Sequence, residues 1–182
     1  MALKFTTSHA EDSLSLFRYY KKLAEGAMEQ VTDDQLTAVL DPEMNSISQI
    51  AKHMSGNMRS RWTDFLTSDG EKPFRNRDDE FMAPPATRED LMKMWDDGWE
   101  CVFNALEPLT ESDAGRTITI RGEPHSVMQA INRQLAHYAY HCGQIVFLAK
   151  HLNSESWRSL SIPRSASAAF NQAVAAGEKS QR

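Results

Sequence analysis

The chain has 182 residues, 41% hydrophobic and 25% charged, the size and make-up of one soluble globular domain that can bury a core without disulfides. A formal net charge of −5, with Lys21-Lys22 the only adjacent basic pair, argues against a nucleic-acid-binding surface. No stretch approaches the ~18 uninterrupted apolar residues of a membrane span, and Met1 to Thr7 lack the apolar core of a signal peptide, so a cytoplasmic location is expected.

The first helix is expected over residues 8–31. Leu14, Phe17, Leu23, Ala24, Ala27 and Val31 recur at helical spacing between charged residues, and Ser8 with Glu11 has capping-box spacing. A short helical turn around 33–39 is broken by Asp41-Pro42. The second long helix is expected from Asn45 or Ser46 to Ser68, with Ile47, Ile50, Ala51, Met54, Met58 and Phe65 as its core stripe. Trp62 lies at the edge of that stripe, and Ser68-Asp69-Gly70 is the stop signal. Residues 74–85 read as a charged loop. The third helix opens at Thr87-Arg-Glu-Asp90, another capping-box pattern, turns Leu91, Trp95, Trp99, Val102 and Leu106 inward, and ends by Pro108. Thr117-Ile-Thr-Ile120 alternates and is followed by a turn at 121–124, predicting a short strand or hairpin. A fourth long helix is expected over 126–152 and a short, weakly amphipathic one over 165–177. These elements predict an all-α fold. It is one up-down four-helix bundle over residues 1–182, with a hairpin or extended segment before the fourth long helix and a short C-terminal helix.

The fourth helix contains His137-Tyr-Ala-Tyr-His141. Two histidines four apart share a face, one turn apart, where both imidazoles can reach one metal ion. At about 100° per residue, Ala130, Gln134, His137, His141, Gln144 and Leu148 fall on one stripe. Polar groups on an inward face need partners, which an ion or bound water would supply. The spacing alone is weak: with six histidines such a pair arises by chance in roughly one chain in six. His53 flanks the apolar stripe of the second helix beside Ile50 and Met54, with Asn57 and Arg61 continuing along that side. It reads equally well as a third ligand or as a partly buried histidine bonded to a backbone carbonyl. Three imidazoles with no carboxylate on the His137 stripe would leave an open coordination position. His151 lies about 15 Å along the axis from His141 and cannot join the same ion. His125 faces another side, and His9 is expected to face solvent.

Cys142 follows His141, but adjacent helical residues point about 100° apart, so a Cys–His nucleophile is disfavoured. Both cysteines, Cys101 and Cys142, read as small buried hydrophobes. Trp62, Trp95 and Trp99 read as core. Asp96-Asp97 and Asp78-Asp79-Glu80 read as solvated charge. No glycine-rich phosphate loop, Gly-x-Ser-x-Gly elbow or CxxC pair is present.

Ile50-Ala-Lys-His53 with Trp62, then Val127 through His137-Tyr-Ala-Tyr-His141-Cys-Gly-Gln-Ile145, resemble the DinB-like superfamily, and more closely a branch whose members mostly lack an assigned function. Trp157-Arg-Ser-Leu-Ser-Ile-Pro-Arg164 with Phe170-Asn171 also resembles that branch, except that Ser165 stands where the branch tends to carry glycine. The resemblance implies a DinB-like four-helix bundle with a divalent metal, often nickel, zinc or iron, on His53, His137 and His141. Some relatives in the superfamily are thiol-dependent transferases or isomerases; others are known only as metal-binding proteins. The expectation is therefore a metal-binding protein that activates a low-molecular-weight thiol or water for transfer or hydrolysis on a small molecule. Asn57, Arg61 and Gln144 are candidates for orienting substrate. The alternatives are a non-catalytic, metal-stabilised binding or interaction module, and a metal-free bundle acting through a partner. A homodimer through bundle faces fits each of these.

Overall fold

The computed structural model of the chain describes residues 6, 8–85 and 87–180. Those residues are mostly helical: α1 (His9–Met28), α2 (Asp33–Thr37), α3 (Ile47–Trp62), α4 (Arg88–Leu106), α5 (Val127–Leu152) and α6 (Ser167–Ala175). Strands β1 (Thr117–Ile120) and β2 (Glu123–Ser126) form a two-stranded antiparallel sheet just before α5, with Thr117 opposite Ser126 and Ile120 opposite Glu123. No helix among the described residues is long and apolar enough to cross a membrane.

Local chemistry starts the helices where the sequence predicts. Thr32 with Gln35, Ser46 with Gln49, and Ser126 with Gln129 form reciprocal capping boxes that satisfy the free N–H groups of α2, α3 and α5. At α1 the Ser8 hydroxyl accepts from Glu11 N, while the Ser8 N–H donates to Thr6 Oγ1 instead of to Glu11. At α4 the Thr87 hydroxyl both accepts from Asp90 N and donates to its carboxylate.

The end of α3 departs from expectation. The apolar pattern runs on to Phe65, but the helix stops at Trp62, because Thr63 turns extended and Asp64 takes a left-handed φ of 46°. Aspartate tolerates that conformation. The turn delivers Phe65 to the core against Trp62 by another route, with ring centroids 5.2 Å apart. Trp62 itself is core rather than edge, only 3% exposed.

α3 packs along α4 and α1 along α5, while α3 also meets α5 and α1 meets α4. Phe17 of α1 is fully buried where all four meet. Its ring contacts Trp62, Trp99 and Tyr138 at 6.4, 6.2 and 5.7 Å. Trp62 Nε1 donates to Tyr138 Oη (3.0 Å), and Tyr138 Oη donates to Asn57 Oδ1 (3.1 Å). This buried chain ties α3 to α5 beside the paired histidines and satisfies polar groups that would otherwise be costly to bury.

The hairpin is pinned from outside. Arg121 and Gly122 both have positive φ, 55° and 76°, as a type I′ turn requires. Their backbone N–H groups each donate to the Asp69 carboxylate at 2.8 Å, and Gly70 N donates to Thr119 O at 2.8 Å. The segment after α3 is thereby fastened to the hairpin, whose Arg121 lines the cavity described next.

Candidate metal centre

His53 on α3 and His137 and His141 on α5 converge. One nitrogen from each ring lies within 4.8 Å of the others. His137 Nε2 is 3.0 Å from His141 Nε2 and 3.3 Å from His53 Nε2. Metal–imidazole bonds of about 2.0–2.1 Å at tetrahedral to octahedral angles place ligand nitrogens about 2.9–3.4 Å apart. His137 therefore stands at ligand separation from both other rings, and the three nitrogens lie close enough to share one ion.

The outward nitrogens set the tautomers. His53 Nδ1 is 2.8 Å from Glu80 Oε2. A carboxylate only accepts, so Nδ1 carries the proton and Nε2 offers its lone pair inward. His141 Nδ1 is 2.7 Å from Gln144 Oε1, whose amide nitrogen donates to Tyr140 Oη at 3.0 Å. His141 Nε2 is unprotonated by the same logic. Burial, followed by the neighbouring His141 and His53, pushes His137 down to about 3, and burial lowers His141 as well. These two rings are thus neutral near pH 7. His137 Nε2 can donate to one of the two facing lone pairs or, with its own proton on Nδ1, join them around a cation, so the donor set fits a divalent ion.

Glu80 is held as firmly as the histidine it orients. Arg75 forks onto it, Nε to Oε1 at 2.8 Å and Nη2 to Oε2 at 3.0 Å. Burial works to raise the Glu80 pKa, yet the hydrogen bonds from His53 and Arg75 and the charge of Arg75 hold it below the usual carboxylate range. The segment bearing Glu80 docks on α3. Gln49 Nε2 donates to Phe81 O (2.8 Å), Lys52 Nζ donates to Asp79 O and Ala83 O, and Phe81 stacks on His53 with centroids 4.6 Å apart. Gly56 makes room for this approach, since a Cβ there would lie 2.8 Å from Glu80 Cδ.

Reading Asp78-Asp79-Glu80 as solvated charge holds for Asp78 and Asp79, which are exposed, and fails for Glu80, which is 5% exposed. Its signal is Phe81, an aromatic in a charged run, which docks the segment and draws Glu80 inward. The expectation that His53, if not a ligand, bonds a backbone carbonyl is likewise replaced by the Glu80 carboxylate. His9 is half-buried, not solvent-facing, and its Nε2 has no partner among the described residues. His125 and His151 stand apart from the cluster. Burial pushes the Cys142 thiol up to about 12 and raises Cys101, leaving neither as a nucleophile at neutral pH.

A cavity of about 510 Å³ opens beside the three imidazoles. Asn57, Arg61 and Gln144, the residues singled out for orienting substrate, all line it. Each is also committed to the protein: Asn57 accepts from Tyr138, Gln144 orients His141, and Arg61 donates to Gly70 O and to Glu71 Oε2 (3.1 Å). Sequence reasoning missed Arg75, Arg77, Arg121 and Arg133 of the same wall, which come from three separate segments.

No curated protein matches the chain. The model of the family described as protein of unknown function (DUF1572) matches residues 4–166, and the convergent histidines lie within that span. The chain therefore belongs to the DUF1572 family.

Proposed function

We propose that this protein is a divalent-metal-binding, DinB-like four-helix bundle of α1, α3, α4 and α5, with His53, His137 and His141 as ligands. The proposed activity, in the cytoplasm, is activation of a low-molecular-weight thiol or water for transfer or hydrolysis on a small molecule. The carrying observation is the convergence of three imidazoles, with His137 Nε2 at ligand spacing from both others and two rings whose outer Nδ1–H is already engaged by Glu80 and Gln144. Such outer partners fix ring orientation and raise ligand basicity.

An ion bound there would lower the pKa of a thiol or water at its open position and so supply a nucleophile near neutral pH. The remaining work falls to the chain. Glu80 and Gln144 keep two rings in the ligating tautomer, the Trp62–Tyr138–Asn57 chain holds α3 against α5, and the cavity admits a ligand.

Metal content of tag-free protein, measured by mass spectrometry against protein concentration, tests the site. About one nickel, zinc or iron per chain is expected in wild type and none in the His137→Ala/His141→Ala double variant. No metal in either, before or after reconstitution, would remove the proposal.

One observation favours a second reading, a metal that only stabilises the fold. The ligands come from α3 and α5, so an ion would cross-link two helices. That reading predicts a site closed to exogenous thiol or azide, whereas the adjoining cavity supports an accessible one. Met128, Tyr140 and Phe147 leave exposed apolar surface on α5 that a homodimer would cover, which light scattering of the purified protein tests.

A further inference from the structure

The wall of the cavity beside the histidines is cationic in a chain whose formal net charge is −5. Arg61, Arg75, Arg77, Arg121 and Arg133 line it, and among the described residues no carboxylate does. The acids that answer these arginines stand behind the wall. Glu80 takes the fork of Arg75, and Glu71 is shared by Arg61 at 3.1 Å, Arg121 at 2.8 Å and Arg75 at 3.5 Å. Two carboxylates cannot neutralise five guanidiniums. Among the described residues, no ion pair holds Arg77 or Arg133. Arg77 lies over the Phe81 ring at 5.3 Å, beside the ring that stacks on His53. Arg133 precedes His137 by one turn of α5, about 6 Å along the axis and on the same side.

A second feature lies at the same wall. Gln134 lines the cavity, is 2% exposed, and its Oε1, closed to solvent, has no hydrogen-bond partner among the described residues. Buried amide oxygens are normally satisfied, so this acceptor is free to take a donor from a molecule in the cavity once the side chain turns toward it. The adjacent pair Arg133 and Gln134 therefore offers a cation and an acceptor a turn away from His137.

We propose that the cavity is the seat of a small organic anion, carboxylate- or phosphate-bearing. Arg77, Arg133 and Arg121 take its charged group, and Gln134 accepts from a hydroxyl or N–H of the same molecule. The other end reaches the three histidines. That last element rests on the metal-centre reading; the anion seat does not. Guanidiniums suit this task, because their planar fork matches carboxylate and phosphate oxygens and keeps its charge at any physiological pH.

Three thiols of similar length and different charge separate the cases: 3-mercaptopropionate, 2-mercaptoethanol and 2-mercaptoethylamine. Binding to the cobalt(II)-loaded protein is read from the sulfur-to-metal charge-transfer absorption. The anionic thiol is expected to bind about tenfold more tightly than the neutral one, and the cationic thiol most weakly. Arg133→Gln and Arg77→Gln should each narrow that spread by weakening 3-mercaptopropionate more than 2-mercaptoethanol, and ~0.5 M salt should narrow it in wild type. Equal affinities for the three thiols, or tightest binding of the amine, would overturn the proposal.

The seat is also read on metal-free protein, by calorimetry with succinate and with inorganic phosphate. Binding of either that weakens in Arg133→Gln supports the seat even if cobalt never loads, and the tighter of the two names the headgroup. Absence of binding by both overturns it, whatever the metal content.

Discussion

Glu80 is the residue on which the site depends most beyond the histidines themselves. It fixes the His53 tautomer, is clamped by Arg75, and fits only because Gly56 has no side chain. Glu80→Gln keeps the volume but removes the charge, and an amide can present an N–H where His53 needs an acceptor. Metal affinity is expected to fall about 10- to 100-fold, measured by competition with a chelator of known affinity. Gly56→Ala should shift the same titration in the same direction, because the added methyl displaces the carboxylate. Unchanged affinity in both would mean that His53 needs no orienting partner.

At the level of elements, the Asp69 carboxylate is one of the links that join the hairpin tip to the segment after α3. Backbone N–H groups of Glu71 and Gly122, with that of Arg121 adding to them against a partial pull from burial, hold Asp69 below its ordinary value of 3.8. A carboxylate depressed by folding contributes stability above its unfolded-state pKa and loses it as pH falls through the folded value. Protection of the Arg121 and Gly122 amides against hydrogen exchange should therefore be flat above about pH 5 and decline below about pH 4. Asp69→Asn should abolish that transition. Protection that does not change with pH in wild type would show that the turn is held by its own type I′ geometry.

For the whole molecule, an ion on His53, His137 and His141 would join α3 to α5 and stabilise the folded state by mass action. A free metal concentration of ~1,000 times its Kd corresponds to about 4 kcal/mol, or roughly 10 °C in Tm for a chain of this size. Chelation should lower the wild-type Tm by that order and leave the His137→Ala/His141→Ala variant unmoved. A wild-type Tm insensitive to chelator, in protein that demonstrably held metal, would mean that the bundle is complete without the ion and that the site is kept for chemistry.

Much of this was legible in the sequence because helix formation and helical spacing are local. The helix starts near Ser46 and Ser126, the apolar periods of the four long helices, and His137 with His141 on one face all follow from neighbours within a few positions. Pairing them with His53 required a contact across 84 residues, and finding Glu80 required one across 27. No period links such positions. The same holds for the arginine wall, whose members are scattered over α3, the 74–85 segment, the hairpin turn and α5 and look like ordinary surface charge one at a time. Even the end of α3 belongs to tertiary structure: the sequence pattern carries Phe65 on as helix, while the core accepts it from a turn. Sequence alone determined the helices and the paired histidines, because their geometry repeats every few residues. Packing decided what surrounds those histidines, because charge, burial and orientation at a point depend on every segment that reaches it.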